Sequence, residues 1–246
     1  MRPFWISAFL DQAPGEGEVS EAFWVAVTGT TLSPRRGEHQ EFASLLPADG
    51  DGHLRVQRLA AGERGVHLDL HVDDPRAAAG HLARLGAREV ADHGYVVMTS
   101  PAGLTFCLVT HPSRERSAPV TWPGGHHSLL DQVCLDVPTP LLDAETAFWA
   151  AVLEVEAPAG STASPFRPLP RDPGQPLRLL LQDVGAGTTA RAHLDLATDD
   201  RAAETARHER LGARVWAVHE RWTVLADPVG RLYCLTDRDP RTGLLP

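Results

Sequence analysis

Two histidine–aspartate pairs are the clearest candidates for chemistry in this sequence. His67 is followed two residues later by Asp69, and His193 is followed in the same way by Asp195. Residues two apart on a β-strand point to the same face, so each imidazole is expected beside its carboxylate. A carboxylate can hold an imidazole in one tautomer and raise its pKa, as a general base requires. The same arrangement also serves as a buried hydrogen bond between two polar groups, and the sequence leaves both interpretations open.

Composition excludes several other kinds of chemistry. The 246 residues contain no lysine and no asparagine, so Schiff-base lysines, P-loop lysines and N-linked glycan acceptors are ruled out. An arginine-rich chain without lysine is typical of a GC-rich bacterial genome. With 32 acidic against 23 basic residues, the chain offers no broad basic face, so we expect no nucleic-acid partner.

The hydropathy pattern and the cysteines indicate a cytoplasmic protein. No apolar run approaches the roughly 20 residues that cross a bilayer, so we expect no membrane partner. The apolar start of the chain stops at Asp11 without a small-residue cleavage site, which argues against export. Cys107, Cys134 and Cys234 are odd in number and form no C-x-x-C motif, which favours free thiols in a reducing compartment.

The two histidine–aspartate pairs belong to a tandem duplication. The segment HLDL occurs at 67–70 and again at 193–196, and LGAR occurs at 85–88 and again at 211–214. The order of these and further matches is kept, with a shift that drifts only from 125 to 127 residues. The duplication predicts two domains at 1–110 and 131–238, a linker at 111–130 and a tail at 239–246.

Local patterns predict a strand–helix–strand order that occurs twice in each copy. In the second copy we expect a helix over 140–153 with Asp143 as its N-cap, and a second helix that ends at Gly212. In the first copy, Asp74 is the expected N-cap before Pro75. The predicted strands of the second copy are 132–137, 177–184, 193–198, and a hairpin of 222–226 with 232–236. His126, His127, His208 and His219 are expected to be solvated.

These features together resemble the vicinal oxygen chelate superfamily, in particular its glyoxalase-like domains, which are also linked to bleomycin-resistance proteins. The resemblance rests on Ala147-Phe148-Trp149, the HLDL and LGA segments, and Trp222 before the turn Asp227-Pro228-x-Gly230. It implies an α+β fold of two glyoxalase-like domains. Each domain would consist of paired βαβββ modules that form an incomplete eight-stranded barrel around a ligand cup.

The resemblance also implies which residues of this chain would stand at the metal-ligand positions. Family enzymes hold a divalent metal with one ligand from the first and one from the last strand of each module. In the second copy these positions are Gln132, Gln182, His193 and Cys234. In the first copy they are Ser7, Gln57, His67 and Cys107. Neither projected set contains a carboxylate, so we expect no cofactor, with a divalent metal as the alternative.

Two functions remain open at this point. Trp222 and Tyr95 occupy corresponding strand positions and could stack on a flat ligand, or they could pack in the core. The first hypothesis is a metal-free protein that binds an aromatic or natural-product-like molecule, with Gln132, Gln182, His193, Trp222, Cys234, Gln57, His67, Asp69 and Tyr95 as ligand contacts. The alternative is a lyase, isomerase or dioxygenase that uses an atypical metal site or the His193–Asp195 pair as its base. The chain is expected to be a monomer with internal domain pairing, or a homodimer.

Overall fold

The computed structural model describes residues 2–158 and 164–246, and each copy contains two helices, each preceded and followed by strands. The first copy comprises β1 (Trp5–Gln12), α1 (Gly17–Thr28), β2 (Thr31–Leu32), β3 (Phe42–Leu46), β4 (Leu54–Arg58), β5 (Gly65–His71), α2 (Pro75–Arg84), β6 (Arg88–Asp92), β7 (Val96–Thr99) and β8 (Thr105–Val109). The second comprises β9 (Val120–Thr121), β10 (His127–Val137), α3 (Leu142–Leu153), β11 (Phe166–Pro168), β12 (Arg178–Asp183), β13 (Arg191–Thr198), α4 (Arg201–Arg210), β14 (Arg214–Val218), β15 (Trp222–Ala226) and β16 (Leu232–Thr236).

The strands of each copy form one sheet. The strand order is β2-β3-β4-β1-β5-β8-β7-β6 in the first sheet and β11-β12-β10-β13-β16-β15-β14 in the second, where β9 pairs with β10. Within the described residues neither sheet closes on itself. The predicted α+β fold of two incomplete eight-stranded barrels is confirmed.

The two copies correspond closely where a parallel strand pair lies at the centre of each sheet. In the first copy β5 runs parallel to β8, with Asp69 opposite Cys107. In the second copy β13 runs parallel to β16, with Asp195 opposite Cys234. The duplication therefore places the histidine–aspartate motif and a cysteine in the same register in both sheets.

The chain also forms two compact units, and each unit takes one module from each copy. Unit I contains residues 1–9, 66–114 and 133–192. Unit II contains residues 10–65, 115–132 and 193–246. Unit I therefore joins the second module of the first copy to the first module of the second copy, and unit II joins the remaining two modules.

Local sequence chemistry explains where the helices in the second modules begin and end. Asp74 and Asp200 are N-caps whose carboxylates accept a hydrogen bond from the N–H of Ala77 and Ala203. Gly86 and Gly212 follow these helices with φ of 105° and 106°, a conformation that glycine adopts without steric strain. The predicted N-cap at Asp74 and the predicted end of the second helix at Gly212 are confirmed.

Local predictions of three kinds are wrong: a helix cap, the start of a strand and the solvation of histidines. Helix α3 begins at Leu142, and Asp143 lies in its first turn, where its carboxylate accepts from Arg167 and caps nothing. Strand β10 begins at His127, five residues before the expected start, because it pairs there with β9. His208 is fully buried, and Tyr233 of β16 and Glu204 of the same helix bind its two ring nitrogens.

The polar contacts of α4 show why the histidine predictions fail. Glu204 is fully buried and binds Arg207, His208 and His126, whose Nε2 lies 2.8 Å from a Glu204 oxygen. His127 likewise binds Asp199, with Nδ1 at 2.7 Å from Oδ2. Helix α4 reads as polar in the sequence, yet its charged residues pair with each other and with neighbouring segments. Only His219 is exposed as expected.

Candidate functional site

The side chains of β5 and β8 bring three metal-ligand types together in unit I. His67 and Asp69 point to the same sheet face, called here the cup face, and Cys107 lies opposite Asp69. The imidazole Nε2 of His67 is 3.8 Å from Oδ1 of Asp69. The ligand atoms of all three residues lie within 4.8 Å of one another, and all three side chains are buried. Phe9 stacks on the His67 ring with a centroid distance of 4.7 Å.

The second copy repeats the histidine–aspartate pair with a shorter separation. His193 Nε2 is 3.4 Å from Asp195 Oδ1. The His193 side chain retains 17% exposure, whereas that of Asp195 retains 5%, so the histidine is the more accessible member of the pair. The predicted pairing of each imidazole with its carboxylate on one strand face is present in both copies.

A chain of hydrogen bonds holds the Asp195 carboxylate in place. Gln132 donates from Nε2 to Asp195 Oδ2 at 2.5 Å, and its Oε1 accepts from Arg238 at 2.8 Å. Arg238 also binds the buried carboxylate of Asp131 at 2.7 Å. Because the guanidinium can only donate, it determines which end of the Gln132 amide faces Asp195. The orientation of the Gln132 amide therefore follows from the fact that Arg238 can only donate hydrogen bonds.

The electrostatics of this cluster keep Asp195 ionised. Burial alone would raise its pKa. The hydrogen bond and charge of His193, the charge of Arg238 and the hydrogen bond from Gln132 together hold the pKa of Asp195 below its usual range. An ionised Asp195 attracts a proton to the facing Nε2 of His193, which orients the imidazole.

Cys234 lies beside this pair as a neutral thiol. Burial, and then the negative charge of Asp195, raise the pKa of Cys234 to about 11. A thiol with that pKa is protonated near neutral pH and is a poor nucleophile. Cys234 therefore contributes a small, weakly polar side chain to the cup face of the second copy.

Gln57 and Gln182 occupy corresponding strands outside these clusters. Gln57 is half-buried on β4 opposite Phe42. Gln182 is half-buried on β12, and its Oε1 accepts from the thiol of Cys134 at a distance of 3.5 Å. A role for either glutamine in ligand binding stays a prediction.

Trp222 and Tyr95 each lie against an exposed histidine. Trp222 begins β15 and stacks on His219 with ring centroids 4.5 Å apart. Tyr95 immediately precedes β7 and lies 5.6 Å from the ring of His93. Val224 is opposite Cys234 in the sheet, and Trp222 lies two residues before it, so the indole is on the cup face. Both aromatic rings are half-buried.

The first copy differs from the second at the position of Gln132. Ser7 stands there, and its hydroxyl lies 2.8 Å from Nε2 of His71. The Nδ1 of His71 lies 2.7 Å from the backbone carbonyl of His111. His71 thus contacts a hydroxyl and a carbonyl where the second copy has an arginine–glutamine pair.

Arg238 was not found from the sequence. It is the last residue of the predicted second domain and stands in a short run of charged residues that looks solvated. The structure buries its side chain to 6% exposure through contacts with β10. No local pattern indicates such a partner, because Asp131 and Arg238 are more than 100 residues apart.

The residues of the first copy fit a divalent ion by type. His67, Asp69 and Cys107 would supply an imidazole nitrogen, a carboxylate oxygen and a sulfur atom, a set suited to zinc and poorly suited to magnesium. Binding requires loss of the thiol proton, so it would depend on pH. A zinc ion held there would polarise a carbonyl or lower the pKa of a bound water.

Comparison with solved structures gives the same fold. A triple mutant of 4-hydroxymandelate synthase from Streptomyces coelicolor has a TM-score of 0.64 and 16% identity, over 98% of this chain and 94% of that one. The Mn(II)-bound glyoxalase from Novosphingobium aromaticivorans has a TM-score of 0.64 and 15% identity, over 100% and 87%. The 2,2',3-trihydroxybiphenyl 1,2-dioxygenase from Sphingomonas wittichii strain RW1 has a TM-score of 0.60 and 15% identity, over 94% and 88%.

The sequence comparisons define the family. None of the curated proteins compared with the chain matches it. Among the described residues, no helix combines the length and the apolarity needed to traverse a bilayer. The family model of the glyoxalase-like domain matches residues 9–109 and again residues 132–236. With both copies matched, the chain belongs to the glyoxalase-like domain family of the vicinal oxygen chelate superfamily.

Proposed function

We propose that this protein binds a small aromatic molecule with a polar substituent on the cup face of its second copy, with His193 as the central contact. The observation that carries the proposal is the hydrogen-bond chain from Arg238 through Gln132 to Asp195, whose other carboxylate oxygen lies 3.4 Å from the partly exposed imidazole of His193. A site with few, firmly oriented polar groups and nearby aromatic rings is typical of small-molecule binding. Trp222 is the aromatic side chain on the same face.

The class of ligand is suggested by the names of the structural relatives. A hydroxymandelate synthase and a trihydroxybiphenyl dioxygenase share this fold, and both names refer to hydroxylated aromatic compounds. Because identity is only 15–16%, these names guide the choice of compounds and nothing more. We therefore take phenols, catechols and hydroxylated aromatic acids as the probes.

The test is calorimetric titration of the full chain with this panel. We expect at least one compound to bind with micromolar affinity and the His193→Ala variant to bind it at least about tenfold more weakly. His67→Ala is the matched control, because it removes the corresponding imidazole from the first copy, and it should leave binding unchanged. Absence of binding across the panel, or loss only in His67→Ala, would overturn the proposal.

A second candidate function is a metal-dependent enzyme, and one observation favours it. The ligand atoms of His67, Asp69 and Cys107 lie within 4.8 Å of one another in the first copy. We propose this cluster as the alternative site of a lyase, isomerase or dioxygenase activity. The other form of this alternative uses no metal and takes the His193–Asp195 pair of the second copy as its general base. His193 would accept a proton from a substrate hydroxyl while ionised Asp195 stabilises the imidazolium.

Zinc titration of the metal-stripped full chain, followed by elemental analysis, tests this second function. One equivalent should bind, with loss in Cys107→Ser and no loss in Cys234→Ser, which changes the corresponding cysteine. A chain that retains no zinc after buffer exchange would contradict it. Iron and manganese are added in parallel, because stoichiometric uptake of either would identify a harder site than the one the cluster forms.

A cytoplasmic location and a monomeric state with internal domain pairing also remain proposals. All three cysteines are free and buried in the structure, which supports a reducing compartment. Each compact unit contains a module from both copies, which supports pairing within one chain. Sedimentation of the purified chain over a range of concentrations tests the monomeric state.

A further inference from the structure

In each unit, one buried carboxylate joins a helix of one copy to the hairpin turn of the other. In unit II, Trp24 of α1 donates from Nε1 to Asp227 Oδ2 at 3.0 Å. The other oxygen of Asp227 accepts from the N–H groups of Val229 and Arg231 in its own turn. Trp24 is completely buried and Asp227 almost so, and they come from different copies. The Asp227 carboxylate therefore accepts hydrogen bonds both from its own turn and from a tryptophan of the other copy.

Unit I contains the equivalent contact, but there the carboxylate belongs to the helix and not to the turn. Trp149 of α3 donates from Nε1 to Glu145 Oε1 at 2.7 Å, within its own helix. Glu145 Oε2 then accepts from the N–H of Ala102, in the turn of the first copy, at 2.8 Å. In that turn the Oγ of Ser100 accepts from the N–H of Leu104. The acid thus reaches from the helix to the turn.

The register of the duplication shows that these are equivalent positions with exchanged residues. Glu145 corresponds to Ser20 at the shift of 125, as Trp149 corresponds to Trp24, and Asp227 corresponds to Ser100 at the shift of 127. The second copy therefore carries an acid at both positions and the first copy carries a serine at both. Ser20 is fully buried, and its hydroxyl has no hydrogen-bond partner among the described residues.

From this exchange we infer that the docking surface of each copy fits the other copy of the same chain and rejects a surface like its own. When the first copy meets the second, each interface contains one carboxylate. Two first copies would place two serines there and leave a buried indole N–H without an anionic acceptor. Two second copies would bury two carboxylates at one turn, where like charges disfavour joint ionisation.

The rest of each interface is also specific to its unit. In unit II, Arg207 donates to the carbonyls of Ala26 and Val27 at the end of α1, and Tyr233 lies 5.1 Å from Trp24. In unit I, Phe106 takes the place of Tyr233 and lies 5.5 Å from Trp149. Unit II therefore has an arginine and a tyrosine at positions of this interface, whereas unit I has a phenylalanine where the tyrosine stands.

Single substitutions in the full chain can imitate the two disfavoured pairings. Ser100→Asp gives unit I both carboxylates, as in a pairing of two second copies. Asp227→Ser gives unit II neither, as in a pairing of two first copies. The double variants Ser100→Asp/Glu145→Ser and Asp227→Ser/Ser20→Glu return one carboxylate to each interface, on the other partner. Ser100→Asn is the control for added volume without charge.

Urea unfolding of these variants at pH 7 and pH 5 tests the inference. We expect Ser100→Asp and Asp227→Ser each to raise the unfolding equilibrium constant by about tenfold or more, because each creates a buried conflict or an unsatisfied donor. Each double variant should return to within about threefold of the natural chain. The difference in stability between Ser100→Asp and the natural chain at the same pH should shrink at pH 5, where one of the two carboxyl groups takes up a proton, whereas the difference for Ser100→Asn should not.

Other results have a definite meaning too. Two results would overturn the inference: Ser100→Asp as stable as the natural chain, or double variants that show the sum of the two single losses. In either case the exchanged acids and serines do not determine which copies pair. Should Ser100→Asp fail to fold, the double variant decides. A folded Ser100→Asp/Glu145→Ser chain supports the inference, because it contains the same new aspartate, and an unfolded one overturns it.

Discussion

Buried ionisable side chains control how this protein responds to pH. His53 lies in unit II, and its Nε2 lies 2.8 Å from the backbone carbonyl of Leu130. Burial, helped by the charge of Arg116, lowers the pKa of His53 from 6.5 to about 4. The unfolded chain therefore binds a proton at a higher pH than the folded chain does, and stability falls as the pH drops from 6.5 towards 4.

The size of this pH effect can be measured with one substitution. The shift corresponds to about 3 kcal/mol of unfolding free energy, fully present above pH 6.5 and lost near pH 4. His53→Gln retains a donor for the Leu130 carbonyl and removes the titration. We expect its urea-unfolding free energy to fall less between pH 7 and pH 4 than that of the natural chain. Parallel pH profiles for the two proteins would contradict this assignment.

Arg238 is the residue on which the second-copy cluster most depends. Its guanidinium binds the buried carboxylate of Asp131 at 2.7 Å and the Gln132 amide at 2.8 Å. Arg238→Met removes the cation from a buried ion pair and is expected to cost about 3 kcal/mol in unfolding free energy. Asp131→Asn combined with Arg238→Met should recover part of that loss.

The exposed pair Arg76–Glu89 provides the matched control for Arg238. Both of its side chains are about half exposed, so Arg76→Met should change the unfolding free energy far less than Arg238→Met does. Urea unfolding of the two arginine variants compares them directly. Equal costs would mean that burial does not set the contribution of Arg238.

At the scale of elements, two aspartates near helix starts differ in what they contribute to stability. Asp200 accepts from the N–H of Ala203 and satisfies a donor that α4 leaves open. Asp143 is also in the first turn of a helix, but its side chain is 91% exposed and binds only Arg167. Asp200→Ala should lower the unfolding free energy by about 1 kcal/mol, and Asp143→Ala by clearly less. Thermal unfolding of both variants measures the difference, and an equal loss would show that the caps do not differ.

How well the elements could be predicted depended on how local their causes are. The hairpin of β15 and β16 lies where the sequence placed it, because the turn chemistry of Asp227, Pro228 and Gly230 determines it within a few residues. The start of β10 was missed because pairing with β9 adds residues that show no strand pattern. The burial of His208 on α4 was missed because nothing in the polar sequence of this helix indicates its contact with Tyr233.

At the scale of the whole molecule, each compact unit combines modules from both copies. A local defect should therefore spread within a unit and not along a copy. Glu145→Ser should increase amide hydrogen exchange in β6–β8 of the first copy and in α3 and β12 of the second, because both belong to unit I. Exchange in β14–β16 should remain slow, although these strands follow Glu145 in the same copy.

The mirrored substitution Asp227→Ser is the control for this exchange experiment. It should increase exchange in β3 and β4 and in β14–β16, which belong to unit II. Mass spectrometry of peptic fragments after deuteration gives the comparison for both variants. Increased exchange confined to one copy in either variant would show that the copy, and not the unit, is the cooperative element.

The sequence by itself determined the duplication, the family and the pairing of each histidine with its aspartate. These follow from order, turn residues and strand alternation, which are properties of neighbours along the chain. Only the tertiary structure decided that Arg238 orients Gln132 and that Cys107 lies beside the pair of His67 and Asp69. It also decided that Glu145 and Asp227 perform the same task from opposite sides. Such contacts join residues that are distant in the sequence, and their strength comes from burial, which arises only when the modules meet.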